Sequence, residues 1–204
     1  MSESRSGKKV VIDLFSGLGG WSEAFLRDYD VYRYDSDPWL REVPRTEIID
    51  LSSLKVGRVA PTFLLLGSPP CLEFSRAYDA PRERARRKKE PFEPSLKLVE
   101  AFIEHRDRLR PEWWAMENVV GSIPDLTPLL GEPRQIIGPF VLWGNFPLLD
   151  LGKQELKEIR VHKKKAGDKY RHHDHRSQFR AKIPYSLSLS MKRNIESPTL
   201  KDWL

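Results

Sequence analysis

Cysteine occurs once in the 204-residue chain, as Cys71 in the run Gly67-Ser68-Pro69-Pro70-Cys71. Proline fixes φ and carries no N–H, so the two prolines stiffen the backbone just ahead of the thiol. That backbone holds the sulfur at the exit of the apolar run Thr62-Phe63-Leu64-Leu65-Leu66. Nearby positive charge lowers a thiol pKa, and the thiolate is the nucleophile. The commoner use of cysteine is as a small buried hydrophobe, but two preceding prolines are unusual at a core position. A carboxyl group stands in a comparable place: Glu117-Asn118-Val119 leaves the apolar run Trp113-Trp114-Ala115-Met116. Burying such a group is costly unless it is paired or used. Partial burial raises its pKa towards neutral and lets it donate a proton. The plainer alternative is a turn-forming Glu-Asn pair.

A third set of residues suits a ligand. Asp13-Leu14-Phe15-Ser16-Gly17-Leu18-Gly19-Gly20 follows a β-branched run. Glycines there let the backbone turn tightly and approach a bound group. Gly17 and Gly19 lack the third glycine of the G-x-G-x-x-G fingerprint, so the turn alone is weak as a nucleotide signal. Asp35 and Asp37 lie about 20 residues further on, where a ribose-binding acid is expected. Asp50 ends the next strand-like run. Singly these acids are turn or cap residues; together they point to a nucleoside-type cofactor with hydroxyl and amino groups to bind.

Placing these groups requires strands that all end on one edge. Residues 9–15, 31–37, 47–54, 62–71, 113–121 and 138–147 read as strands. Trp21, Ala24 and Phe25 predict a helix after the glycine turn. Leu96, Val99, Phe102 and Ile103 predict one over 95–110, stopped by Pro111. Residues 183–196 predict a last helix, although Tyr185–Ser190 could alternate as a strand. Strands alternating with helices imply a single domain over 1–204: α/β, doubly wound, with a mostly parallel sheet that binds ligands at the carboxyl ends of its strands.

Two segments fit neither pattern. Residues 76–94 and 153–176 are charged and read as exposed loops. The first carries Arg82, Arg84, Arg86, Arg87, Lys88 and Lys89, with Arg76 nearby. The net charge of +6 and pI near 9.4 favour an anionic partner, nucleic acid foremost; the alternative is a soluble surface rich in lysine. One cysteine excludes an intramolecular disulfide and suits a reducing interior. No apolar run approaches the ~20 residues of a membrane span. Residues 1–8 are expected to fray, and they lack the apolar core of a secretory signal. The expected location is cytoplasmic, the host cytoplasm for a virus-encoded protein. His162, His172, His173 and His175 lie in a basic stretch without a cysteine, which favours phosphate contact or solvent over a metal.

The order of "DLFSGLGG", "SPPC" and "ENV" resembles the DNA cytosine-5 methyltransferases. Asp13, Phe15, Gly17, Gly19, Pro70, Cys71, Phe74, Ser75, Glu117, Asn118 and Val119 match that family's pattern. The likeness is good over residues 9–150 and loose beyond. It implies a Rossmann-like methyltransferase fold and S-adenosylmethionine as cofactor. By analogy, the turn from Asp13 to Gly20, with Ser16, Gly17 and Gly19, contacts the methionine part. Phe15 lies against the adenine, Asp35 binds the ribose where the family usually has Glu, Ser36 lies beside the adenine, and Asp50 accepts from the adenine amino group. The resemblance makes Cys71 the nucleophile at cytosine C6 and Glu117 the proton holder at N3, with Asn118 tying the two loops together. It makes 76–94 a basic catalytic loop that closes over DNA, with Ser75, Arg76 and the six cations from Arg82 to Lys89 as contacts.

The chain also departs from the family. A Gln-x-Arg-x-Arg signature survives only in fragments, Arg134 and Gln135 or Gln178, Arg180 and Lys182, with Arg180 the preferred cation for the cytosine carbonyl. The basic connection 153–176 stands where a separate target-recognition domain is usual. That implies very short sequence recognition, or recognition supplied by a partner chain. The alternatives are a non-catalytic nucleic-acid-binding relative, a subunit of a split methyltransferase, or a methyltransferase acting on RNA.

Overall fold

The computed structural model describes residues 7–53, 55–57, 61–169 and 172–197, with backbone alone for 163–168. Of the segment expected to fray, residues 1–6 lie outside the described residues. Seven strands form one sheet in the order β3-β2-β1-β4-β5-β7-β6. They are β1 (Val10–Leu14), β2 (Asp30–Asp35), β3 (Thr46–Ile48), β4 (Thr62–Gly67), β5 (Trp113–Val119), β6 (Gln135–Ile137) and β7 (Phe140–Asn145). The pairs among β1 to β5 are parallel, and β7 runs antiparallel to both β5 and β6. This is the doubly wound, mostly parallel α/β fold that the sequence predicts.

Helices cover both faces. Every residue of β1 and β4 is buried, which is why these strands read as continuous apolar runs rather than alternating ones. Side chains still alternate between faces. Leu64 and Leu66 join Val11, Trp21, Phe25, Leu187 and Met191 in one core layer. Leu65 joins Ile12, Leu14, Phe74, Val99 and Phe102 in the other.

Six α-helices are described: α1 (Pro81–Lys88), α2 (Lys97–Leu109), α3 (Ile123–Leu130), α4 (Lys153–Lys169), α5 (Arg176–Ala181) and α6 (Tyr185–Glu196). Helix α2 buries Val99, Phe102 and Leu109 and ends at Arg110 in the left-handed region. The segment 183–196 is helical, not a strand.

Three expectations need correction. The helix expected after the glycine turn is reduced to a 3₁₀ turn, Glu23–Phe25. Its Ala24 amide is taken by the Ser188 hydroxyl at 3.1 Å, so tertiary bonds replace a helical ladder. The loop 76–94 contains α1, with proline in its first turn, Glu83 near the start and Arg86, Arg87 and Lys88 at the end. That arrangement suits the helix macrodipole, and alanine and long-chain residues are strong helix formers. The connection 153–176 is mostly α4, anchored by the buried Ile159. Its apolar positions are too sparse to raise a clear period.

Candidate active site

The strand order reverses between β1 and β4: the chain runs outward through β2 and β3, then returns to the other side of β1. Loops diverge at such a point and leave a crevice at the carboxyl ends of the strands. The Ser68 amide bonds the Leu14 carbonyl at 3.2 Å, and the Ser16 amide bonds the Tyr34 carbonyl at 3.1 Å. These bonds seat the loops after β1 and β4 on their neighbours.

The glycine turn is held from below and behind. Phe15 has φ 54°, a left-handed conformation costly for a bulky residue. Gly17 and Gly19 follow at φ 50° and 70°, so every second residue of the tight turn is left-handed. A Cβ on Gly20 would overlap the Ile183 carbonyl, so this glycine serves close packing on the chain entering α6. Asp35 reaches the turn from β2: its carboxylate accepts from the Gly17 amide at 2.8 Å and the Asp37 amide at 3.1 Å. Ser36 beside it is exposed. Asp50 is exposed beyond β3, where the Ser52 hydroxyl and amide bond its carboxylate at 2.7 and 2.9 Å. Those bonds hold its pKa below the usual carboxylate value.

Asp13 lies under the turn, 1 % exposed. One carboxylate oxygen accepts from the Ser22 hydroxyl at 2.6 Å. Arg33 Nε donates to the same hydroxyl at 2.8 Å, and another Arg33 nitrogen donates to the Gly19 carbonyl at 2.8 Å. Burial pushes the Asp13 pKa up to about 6, opposed by the Ser22 bond and the Arg33 charge. The other oxygen, Asp13 Oδ1, and the buried Ser16 Oγ find no hydrogen-bond partner among the described residues. Arg33 and Ser22 escaped the sequence reading. A signal for Arg33 was present, since an arginine stands between tyrosines inside a strand.

Across the reversal point, β4 and β5 are neighbours and deliver Cys71 and Glu117 to one edge. Asn118 is fully buried, and its Nδ2 donates to the Pro69 carbonyl at 3.1 Å. Its Oδ1 accepts from the Val119 amide at 2.9 Å. One amide side chain thereby ties the Pro-Pro-Cys loop to the end of β5, where Glu117, Asn118 and Val119 are the last paired residues of the strand. Cys71 is half-buried and Glu117 is buried.

Past Cys71, Phe74 plunges into the core at 2 % exposure. Gly121, after β5, lies directly under the Phe74 carbonyl. Arg82 then donates to the Gly121 carbonyl at 3.1 Å and pairs with Asp125 at 2.6 Å, clamping α1 to the start of α3. Ser75 Oγ accepts from the Ala77 amide at 3.1 Å. Arg86 pairs with Glu83, and Arg87 lies 3.5 Å over the Tyr78 ring. Arg76, Arg84, Lys88 and Lys89 face solvent.

The two fragments offered as the cation for the cytosine carbonyl lie in different places. Gln135 uses both ends of its amide on the Leu149 backbone, and Arg134 Nε bonds the Phe146 carbonyl at 3.3 Å. Helix α5 sits by the glycine turn, where Gln178 donates to Asp37 at 2.9 Å. Trp39 stacks on His175 there, with ring centroids 4.0 Å apart. Arg180 is exposed at the end of α5, on the side of the crevice that carries the glycine turn. Trp39 escaped the sequence reading, and Gln178 and His175, singled out there for other roles, meet it from a segment some 140 residues away.

Among the described residues no cluster of three or more His, Cys, Asp or Glu could hold a metal ion, and no helix is long and apolar enough to cross a membrane. No protein-family model matches the chain, and no curated protein matches it. Solved structures do match. One, described as a candidate DNA modification methyltransferase encoded within a prophage of E. coli, aligns at 20% identity with a TM-score of 0.43. The alignment covers 72% of this chain and 49% of that one, so the chain spans about half the length of that protein.

Proposed function

We propose that the protein transfers a methyl group from S-adenosylmethionine to C5 of cytosine in DNA, with Cys71 as the nucleophile. The observation that carries this reading is the Asn118–Pro69 bond, which holds the thiol loop against the end of β5, the strand that carries Glu117, at the carboxyl edge of adjacent strands.

The residues of the turn fit the cofactor. Asp13 Oδ1 and Ser16 Oγ are buried polar atoms lacking a partner among the described residues. With the Asp35 carboxylate they form an acceptor-rich set suited to an ammonium group and ribose hydroxyls. Phe15 would border the adenine, beside Ser36, and Asp50 would accept from its amino group. Bound there, S-adenosylmethionine supplies an electrophilic methyl group.

Cytosine C5 is a poor nucleophile until a thiolate adds to C6. The Cys71 sulfur bonds C6, and the displaced electron pair makes C5 nucleophilic. Glu117 holds a proton at N3 and offsets the charge that addition would place on the ring. After C5 is methylated, its proton is lost to a base, the C6–S bond breaks and the thiolate leaves. Splitting one hard step into easier ones is the gain of covalent catalysis. The target atom is hidden in a duplex, so the base must be flipped out or already unpaired.

Radiolabelled S-adenosylmethionine incubated with the protein and DNA, RNA or free nucleotide tests this. Transfer to DNA is expected, and Cys71→Ser should abolish it. Transfer that survives in Cys71→Ser would rule out the covalent route. DNA carrying 5-fluorocytosine should trap an adduct on Cys71, because fluorine cannot leave as a proton does. Transfer to RNA alone would reassign the substrate.

A further inference from the structure

One face of helix α4 carries three exposed cations along an open cavity. Lys153, Lys157 and Arg160 recur at intervals of four and three residues, so they share that face. All three are exposed, and none has an ion-pair partner among the described residues. Of the acids of the helix whose side chains are described, Glu155 pairs with Arg193 at 3.2 Å and Glu158 accepts from Gln154 at 3.1 Å. Ile159, next to Arg160, turns inward and is wholly buried. An open cavity of about 380 Å³ runs along the cationic face, bordered by Lys153, Leu156, Lys157, Arg160 and Val161.

This face meets the catalytic edge of the sheet. Arg160 packs on Gly138 in the β6–β7 turn. Phe140 of β7 pairs with both Ile137 and Val119, which sets that turn level with the end of β5, next to Glu117 and Asn118. The span from Lys153 to Arg160 covers about 10 Å of helix. A nucleic-acid strand carries one phosphate per about 3.4 Å of axis, so three cations over that length match about three phosphates. A protein partner fits less well: lysine is depleted at protein interfaces, and among the described residues the apolar borders are the half-buried Leu156 and Val161.

We propose that Lys153, Lys157 and Arg160 bind the phosphate backbone of duplex DNA flanking the target, without reading sequence. This rests on DNA being the substrate. The contacts are made equally before and during the reaction, so they act on KM and not on kcat.

The test uses the full chain and its Lys153→Ala/Lys157→Ala/Arg160→Ala variant, with duplex affinity measured against salt concentration. Each lost phosphate contact lowers the slope of log affinity on log salt by about 0.9, so the triple variant should lose about 3. Lys157→Ala alone should lose about 0.9, which guards against a folding defect in the triple variant. Methyl transfer to long duplex should show a raised KM with kcat kept, while transfer to a short single-stranded oligonucleotide stays unchanged. An unchanged slope, with wild-type binding intact, overturns the role of this face and leaves the catalytic reading standing. A reduced slope without any methyl transfer by the wild type supports the face and overturns the catalytic reading. A wild type that binds no DNA overturns both.

Discussion

Asp13 carries one hydrogen bond from Ser22 and one carboxylate oxygen that nothing described satisfies. Such a group is costly to bury charged. Its pKa rises from 3.8 to about 6, with burial as the main cause. For an acid whose folded value is the higher one, the stabilising contribution is complete below about pH 3.8 and is lost as pH rises through about 6. Asp13→Asn removes the ionisation while keeping an acceptor for Ser22. Its stability relative to the wild type should therefore climb between pH 4 and 6 and level off above. The climb should be on the order of 3 kcal/mol, read from urea unfolding at each pH. A difference that stays flat across that window would exclude Asp13 as the titrating group. A bound cofactor with a cationic group near Asp13 Oδ1 would favour the charged form and shrink the difference.

At the scale of elements, the candidate site depends on two loops that touch through backbone. Gly121 lies beneath the Phe74 carbonyl, and Arg82 spans from α1 to Gly121 and Asp125. The segment after Cys71 is thus pinned to the segment after Glu117. Gly121→Ala places a methyl group against a backbone oxygen, which cannot rotate away as a side chain would. It should cost about 1–3 kcal/mol in unfolding free energy. Methyl transfer should fall much further, because a shift of about 1 Å between reacting groups can cost 100-fold in rate. Gly57→Ala, where a Cβ meets nothing within 4 Å among the described residues, serves as the control and should change neither quantity. Equal losses of stability and activity in Gly121→Ala would contradict a positioning role for this contact.

At the scale of the whole molecule, the C-terminal helix completes the N-terminal third. Ser188 donates to the Trp21 carbonyl at 2.5 Å and accepts from the Ala24 amide at 3.1 Å. Tyr29 bonds Glu196 at 2.7 Å, and Lys192 pairs with Asp28. The segment between β1 and β2, which lacks a regular helix of its own, is therefore held by residues more than 160 positions away. Ser188→Ala leaves two buried backbone groups without their bonds, each costing about 1–3 kcal/mol. Hydrogen exchange at the Ala24 amide should accelerate markedly, with little change at Leu65 in the central strand. Exchange at Ala24 that matches the wild type would show that the segment holds its shape alone.

Much of this molecule is legible in one dimension. Leu64, Leu65 and Leu66 announce a strand buried on both faces, and the prolines before Cys71 mark a stiffened exit. Glycines at Gly17 and Gly19 signal a turn that needs positive φ. Local chemistry decides all of these, so composition and spacing carry them. Helices α1 and α4 were less legible because their polar residues mask the period, although Pro81 and the trailing cations of α1 follow helix-terminus rules. What the sequence by itself determined was the set of chemical groups and the strand ends that carry them. Only the tertiary structure decided their partners. Asn118 with Pro69, Arg33 with Ser22, Gln178 with Asp37 and Ser188 with Ala24 are pairings at separations from 11 to 164 residues. No periodicity encodes such pairings; they form because sheet order and face packing bring distant polar groups into a dry interior, where each must find a partner.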